Sequence, residues 1–101
     1  MKSRTTRKFW RMFEALPKDI QDHARRAYRQ FHADPSYPAL AFKRVNAAEP
    51  VYSVRIGINY RAAGLLEGDT VTWFWIGPHD AYERLLRGCH ERAGTPTQTP
   101  F

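Results

Sequence analysis

Residues 51–86, VYSVRIGINYRAAGLLEGDTVTWFWIGPHDAYERLL, hold three strand-like runs joined by short turns. Apolar, aromatic and β-branched residues dominate the runs, and Gly-Ile-Asn and Glu-Gly-Asp separate them. Such punctuation specifies successive hairpins. The pattern predicts strands near residues 51–57, 60–66 and 70–76, with a fourth near 41–45 before the turn at 46–50. The last run ends at Gly77-Pro78, and His79, Asp80 and Tyr82 follow at once.

Register decides which side chains act together. A three-residue loop at Gly57-Ile58-Asn59, with Asn59 left-handed, pairs Ile56 with Tyr60 and Arg55 with Arg61. Tyr52, Val54, Ile56, Tyr60, Ala62 and Gly64 then share one face, and Ser53, Arg55, Arg61 and Ala63 the other. Pairing Leu66 with Val71 sets Gly64 against Trp73 and Ala62 against Trp75, large opposite small. Both tryptophans are therefore expected on the Val54 face, away from the arginines. If Val45 opposes Val51, Phe42 joins the core and Lys43 points with Arg55 and Arg61.

The core face needs a cover. Thr6 is placed to cap a helix carrying Phe9, Met12, Phe13 and Leu16 at helical spacing. Pro17 breaks that helix and suits the first turn of a second, with Asp19 and Asp22 near its positive end. Ile20, Ala24, Ala27, Tyr28 and Phe31 form its apolar stripe, and Arg25, Arg26 and Arg29 fall on the other side. Pro35 and Pro38 forbid its continuation. A last helix from about His79 carries Tyr82, Leu85, Leu86 and Cys89. The expected fold is α+β: two N-terminal helices on a four-stranded, mainly antiparallel sheet, with a short C-terminal helix. One domain spans residues 1–92, and AGTPTQTPF (93–101) reads as a disordered tail.

Charge narrows the function classes. The 101 residues carry a formal net charge of +6. Residues 1–30 hold nine Lys/Arg against three acids, whereas from residue 67 five acids oppose three Lys/Arg. An anionic partner, nucleic acid or an acidic protein, is expected, although a basic balance also serves solubility. Cys89 is the only cysteine, which excludes an internal disulfide and a Cys-rich zinc site. No run is long enough to span a membrane, and the basic start MKSRTTRKFW lacks an apolar signal core, so a cytoplasmic protein is expected.

Arg55 and Arg61 side by side repel each other unless an anion joins them, and guanidinium grips phosphate bidentately. The alternative is neutralisation by Glu49, Glu67 or Asp69. His79 offers an imidazole, a side chain suited to proton transfer, after a strand end where active sites often lie. It reads equally as a surface histidine. Asp80 fits an N-cap or a base, and Tyr82 fits helix packing or a platform for a nucleobase. His79 has no evident second ligand at helical spacing, so neither a metal nor another cofactor is expected.

Two helices, an antiparallel four-strand run and a C-terminal helix resemble the RelE/ParE toxin superfamily of bacterial toxin–antitoxin systems. The stretches that match are ALPKDIQDHARRAYRQF, DPSYPALAFKRV, VYSVRIGINYRA and DTVTWFWIGPHDAYERLL, over residues 5–87. The Trp-Ile-Gly-x-His motif points to the RelE/HigB-like branch. The resemblance implies a metal-independent endoribonuclease that cleaves mRNA, often on the ribosome, and inhibits translation. It implies a cognate antitoxin that wraps the toxin. By resemblance, Arg55 lies where the family places basic catalytic residues, Arg61 at a phosphate-binding position, His79 where members carry Arg, Lys or His, and Tyr82 near a catalytic tyrosine; with Lys43 on their face by register, Arg55 and Arg61 are expected to bind RNA and to act in catalysis with His79 as acid or base and Tyr82. Ser53 stands where some members carry a second lysine, and only residues 1–5 are left for the family's first strand. The alternative is a ParE-like inhibitor of DNA gyrase or a non-catalytic RNA-binding relative.

Overall fold

A bulged central sheet with a core on each face organises the chain. The structure, a computed structural model, describes residues 1–46 and 48–91, with side chains as far as residue 86 in the last helix. The elements are β1 (Lys2–Thr5), α1 (Arg7–Glu14), α2 (Lys18–Ala33), a 3-10 turn (Pro38–Leu40), β2 (Lys43–Arg44), β3 (Val51–Ile56), β4 (Tyr60–Glu67), β5 (Thr70–Pro78) and α3 (His79–Glu91). The expected tail and the side chain of Cys89 lie outside the described residues.

The fold is α+β as read from the sequence, but the sheet has five strands and is mixed, in the order β1-β5-β4-β3-β2. β1 runs parallel to β5, and the other neighbours are antiparallel. Lys2 N donates to Asp69 O at 2.7 Å and Thr6 N to Trp73 O at 3.1 Å, which tie β1 in at both ends. An edge strand reading Lys-Ser-Arg-Thr has no apolar alternation, so its pairing is a backbone matter that leaves no pattern in sequence.

Thr6 caps α1, its Oγ1 accepting from Phe9 N at 3.0 Å. Phe13 from α1 and Ala24 and Phe31 from α2 are buried on the sheet with Val54, Ile56, Val71, Trp73 and Ile76. Tyr28, assigned above to the apolar stripe, is instead exposed. The strand expected at 41–45 shrinks to Lys43–Arg44, because the 3-10 turn ends with Ala41 left-handed at φ 47°. Phe42 still reaches the core and stacks on Tyr52 at 4.9 Å.

The β3–β4 register is as predicted, Ile56 opposite Tyr60 and Arg55 opposite Arg61. Gly57, not Asn59, takes the left-handed conformation, at φ 59°. Glycine adopts it without a Cβ penalty. Between β4 and β5 the predicted pairs Leu66–Val71 and Gly64–Trp73 form, but a bulge follows. Ala63 then faces Trp75 and Ala62 faces Ile76, which reverses the expected sides of both β5 residues. Trp75 crosses to the second face, where it joins Val51, Ala63, Phe74 and Tyr82 under α3. A regular strand would have crowded Val71, Trp73 and Trp75 onto one face; one extra residue divides the bulk between two.

Gly64 is required at this bulge. A Cβ there would lie 2.7 Å from Val71 Cγ1, 2.8 Å from Trp73 Cε3 and 3.0 Å from Thr72 O. Gly64→Ala is expected to cost about 1–3 kcal/mol through overpacking, measured as a lower midpoint of urea unfolding.

Candidate functional site

The second sheet face has an apolar half under α3 and a cationic half at the β3–β4 hairpin. Lys43 on β2 pairs with Ser53 on β3, Arg55 follows two residues on, and Arg61 lies directly opposite Arg55. Strand alternation therefore sets all three cations on the Ser53 face, as expected from sequence. Directly opposed residues place their Cβ atoms about 4.5–5.5 Å apart. Arg55 Nε donates to Gly57 O at 3.1 Å, and Arg61 Nη1 donates to Tyr60 O at 2.8 Å and Ile58 O at 3.4 Å. Each guanidinium is thus braced on the turn's carbonyls with most of its donors unspent. No described carboxylate lies within 4.0 Å of Arg55, Arg61 or Lys43, so the alternative of neutralisation by Glu49, Glu67 or Asp69 is not realised.

Gly77 stands opposite Arg61, and β5 passes into α3 with no intervening loop. His79 N donates to Asn59 O at 2.7 Å, so α3 starts against the same hairpin. His79 therefore begins a helix instead of sitting in a loop, and Asp80 lies in the first turn instead of at the N-cap. The His79 side chain is 42% exposed, with Nδ1 3.6 Å from Glu83 Oε1. Glu83 escaped the sequence reading; its signal was the i, i+4 spacing from His79. The ligand atoms of His79, Asp80 and Glu83 lie within 4.8 Å of one another, donors of a type that suits a divalent cation. Contrary to the sequence expectation, His79 thus has a possible second ligand at helical spacing.

Tyr82 is only 6% exposed. Its hydroxyl donates to Ser53 Oγ at 3.0 Å, and its ring lies 6.1 Å from Trp75 and 6.0 Å from His79. Of its two readings, helix packing is the one the geometry realises; the ring is not presented as a platform for a base. Ser53, at the position where the resemblance sets a second lysine in some members, is a buried polar anchor for α3.

The sequence profile of the ParE-like toxin domain family matches residues 18–84. The chain belongs to that family. Its fold agrees with two solved toxins. The RelB–RelE antitoxin–toxin complex from Methanococcus jannaschii matches with a TM-score of 0.66 at 17% identity, covering 81% of this chain and 96% of that one. The YoeB/ParE toxin from Agrobacterium tumefaciens matches with a TM-score of 0.63 at 15% identity, covering 78% and 99%. No curated protein matches the sequence at a significant level. Membership of the RelE/ParE superfamily, read from the motifs, therefore stands, and the function at its coarsest is that of a toxin-antitoxin toxin. No helix among the described residues is long and apolar enough to cross a membrane.

In this ParE-like domain the Tyr82–Ser53 bond joins α3 to the sheet beneath the cations. Tyr82→Phe would leave the buried Ser53 hydroxyl unpaired, at a cost of about 1–3 kcal/mol. Adding Ser53→Ala should recover part of that loss. A double-mutant cycle read by urea unfolding checks both steps.

Proposed function

We propose that this toxin is an mRNA interferase whose cationic hairpin grips an RNA phosphodiester, most effectively on the ribosome, and that a cognate antitoxin restrains it. One observation carries the reading: Arg55 and Arg61 face each other on a rigid sheet with no described carboxylate in reach. An anion between them would relieve their repulsion and accept charge-assisted hydrogen bonds. In the reaction the 2′-oxygen forms a bond to phosphorus and the bond to the 5′-oxygen breaks, leaving a 2′,3′-cyclic phosphate. Negative charge grows on the non-bridging oxygens, where Arg55 and Arg61 would stabilise it and Lys43 would add field. His79 would take the proton from the 2′-hydroxyl or return one to the leaving 5′-oxygen, with Glu83 close enough to orient its ring. Tyr82 would serve by fixing α3, and with it His79. The RelB–RelE complex among the fold relatives supports the antitoxin as partner.

A ParE-like attack on DNA gyrase is the second reading. The name of the matching family favours it, as does the burial of Tyr82, which leaves fewer groups for proton transfer. The cationic hairpin would then serve binding alone.

Induced expression of the chain is expected to arrest growth and translation, with mRNA ends mapped by primer extension. Arg61→Ala should cut cleavage by about 10²–10³-fold, the loss of one transition-state donor at ~2.7–4 kcal/mol. Arrest with intact mRNA and blocked supercoiling would decide for gyrase.

His79→Gln separates chemistry from folding. Its exposed ring should leave stability within about 0.5 kcal/mol, while cleavage falls by roughly a hundredfold or more. Cleavage at the wild-type rate would remove His79 from the mechanism, and a collapsed melting midpoint would make it structural.

A further inference from the structure

The start of α3 gathers three metal-ligating side chains. His79, Asp80 and Glu83 stand at helical positions i, i+1 and i+4, and their ligand atoms lie within 4.8 Å of one another. The plainer reading is that a neighbouring cation neutralises the two carboxylates. Arg84, one turn beyond Asp80, is spaced for that, yet it forms no ion pair with either. The backbone beneath the donors is held in place. His79 N donates to Asn59 O at 2.7 Å, and the Tyr82 hydroxyl donates to Ser53 Oγ at 3.0 Å. One imidazole and two carboxylates therefore converge on a fixed stretch of helix.

The donor set says which ion suits it. An imidazole nitrogen with carboxylate oxygens suits zinc and its transition-metal neighbours, whereas calcium and magnesium favour oxygen ligands alone. Two zinc bonds of about 2.0–2.2 Å set their ligand atoms at most about 4.4 Å apart. A spacing within 4.8 Å closes to that with small side-chain rotations. Three protein ligands leave a fourth position for water. The His79 and Glu83 side chains are 42% and 55% exposed, so an ion reaches them from solvent. The two carboxylates offset its charge. The positive end of α3 and the nearby cationic hairpin act against it, which keeps binding reversible.

We propose that His79, Asp80 and Glu83 form a reversible site for a divalent ion of the zinc type. The site stands on its geometry alone; its consequence for cleavage rests on the interferase reading. An ion on Nδ1 occupies that nitrogen's lone pair and leaves Nε2 carrying the proton. The ring can then neither take a proton from the 2′-hydroxyl nor form the imidazolium that would return one. Bound metal therefore switches cleavage off without entering the reaction, and its removal restores it.

The test is equilibrium dialysis of the full chain against zinc chloride, run beside cleavage of ribosome-bound mRNA. One zinc ion per chain is expected, retained in excess magnesium. His79→Gln, Asp80→Asn and Glu83→Gln should each weaken binding by roughly tenfold or more, since even outer-shell partners are worth about 10–100-fold. Asp80 and Glu83 are exposed, so their variants keep the test valid if His79→Gln fails to fold. Zinc should suppress cleavage, and a zinc-selective chelator should restore it. Asp80→Asn leaves the proposed proton-transfer group in place. It should cleave at the wild-type rate without zinc and need about tenfold more zinc for inhibition. Zinc held equally tightly by all three variants, or displaced by magnesium, would overturn the site. Zinc bound there with cleavage unchanged would overturn the switch. Zinc bound there by a chain that never cleaves RNA would sustain the site and reject the interferase reading instead.

Discussion

The bulge in β5 is the constraint on which the rest of the structure depends. Where Trp73, Phe74 and Trp75 run past only Gly64 and Ala63, the strand gains one residue and exchanges its faces. Before the bulge, Val71 and Trp73 face α1 and α2; after it, Ile76 returns to that core while Trp75 turns toward α3. Without the exchange, Trp75 would compete with Trp73 for the space beneath α2, and α3 would lose a ring it packs on. The bulge thus lets one small sheet support a core on each side.

The cationic site follows from two further restraints. The three-residue hairpin fixes Arg55 against Arg61, and its carbonyls hold both guanidinium groups close to the turn. The Tyr82–Ser53 bond then docks α3 over the apolar half of that face and no further. The cations are left open because no described acid is positioned to reach them. Two like charges kept adjacent are mildly destabilising. That makes the arrangement easier to understand as a site for an anion than as a feature of folding.

What was legible in the sequence divides along physical lines. Hairpin registers fixed by short loops and by large-against-small pairs were readable as far as Trp73, and so were the common face of Lys43, Arg55 and Arg61 and the Thr6 cap. Beyond Trp73 the alternation of Trp73, Phe74, Trp75 and Ile76 is apolar at every position, so no polar residue marks the slip. β1 left no pattern for the opposite reason: Lys2–Thr5 is polar throughout and binds by its backbone, so only the resemblance reserved residues 1–5 for a first strand. At the candidate site, the cations announced themselves by charge and register. The roles of Tyr82, Ser53 and Glu83 did not, because each depends on where α3 lands.

α3 also separates two properties of the site. The arginines are held by their own hairpin, through contacts that stay within residues 55–61. His79 depends on more distant restraints: its amide on Asn59 and, through Tyr82, the seating of α3 on Ser53. Loosening α3 would therefore displace His79, the proposed proton-transfer group, while leaving the proposed anion site in place. On that mechanism, a relative that kept the hairpin but lost the anchorage of this helix would bind phosphate without the means to cleave it. On the proposed mechanism, grip and chemistry are thus carried by different elements, joined through the small contact between Tyr82 and Ser53.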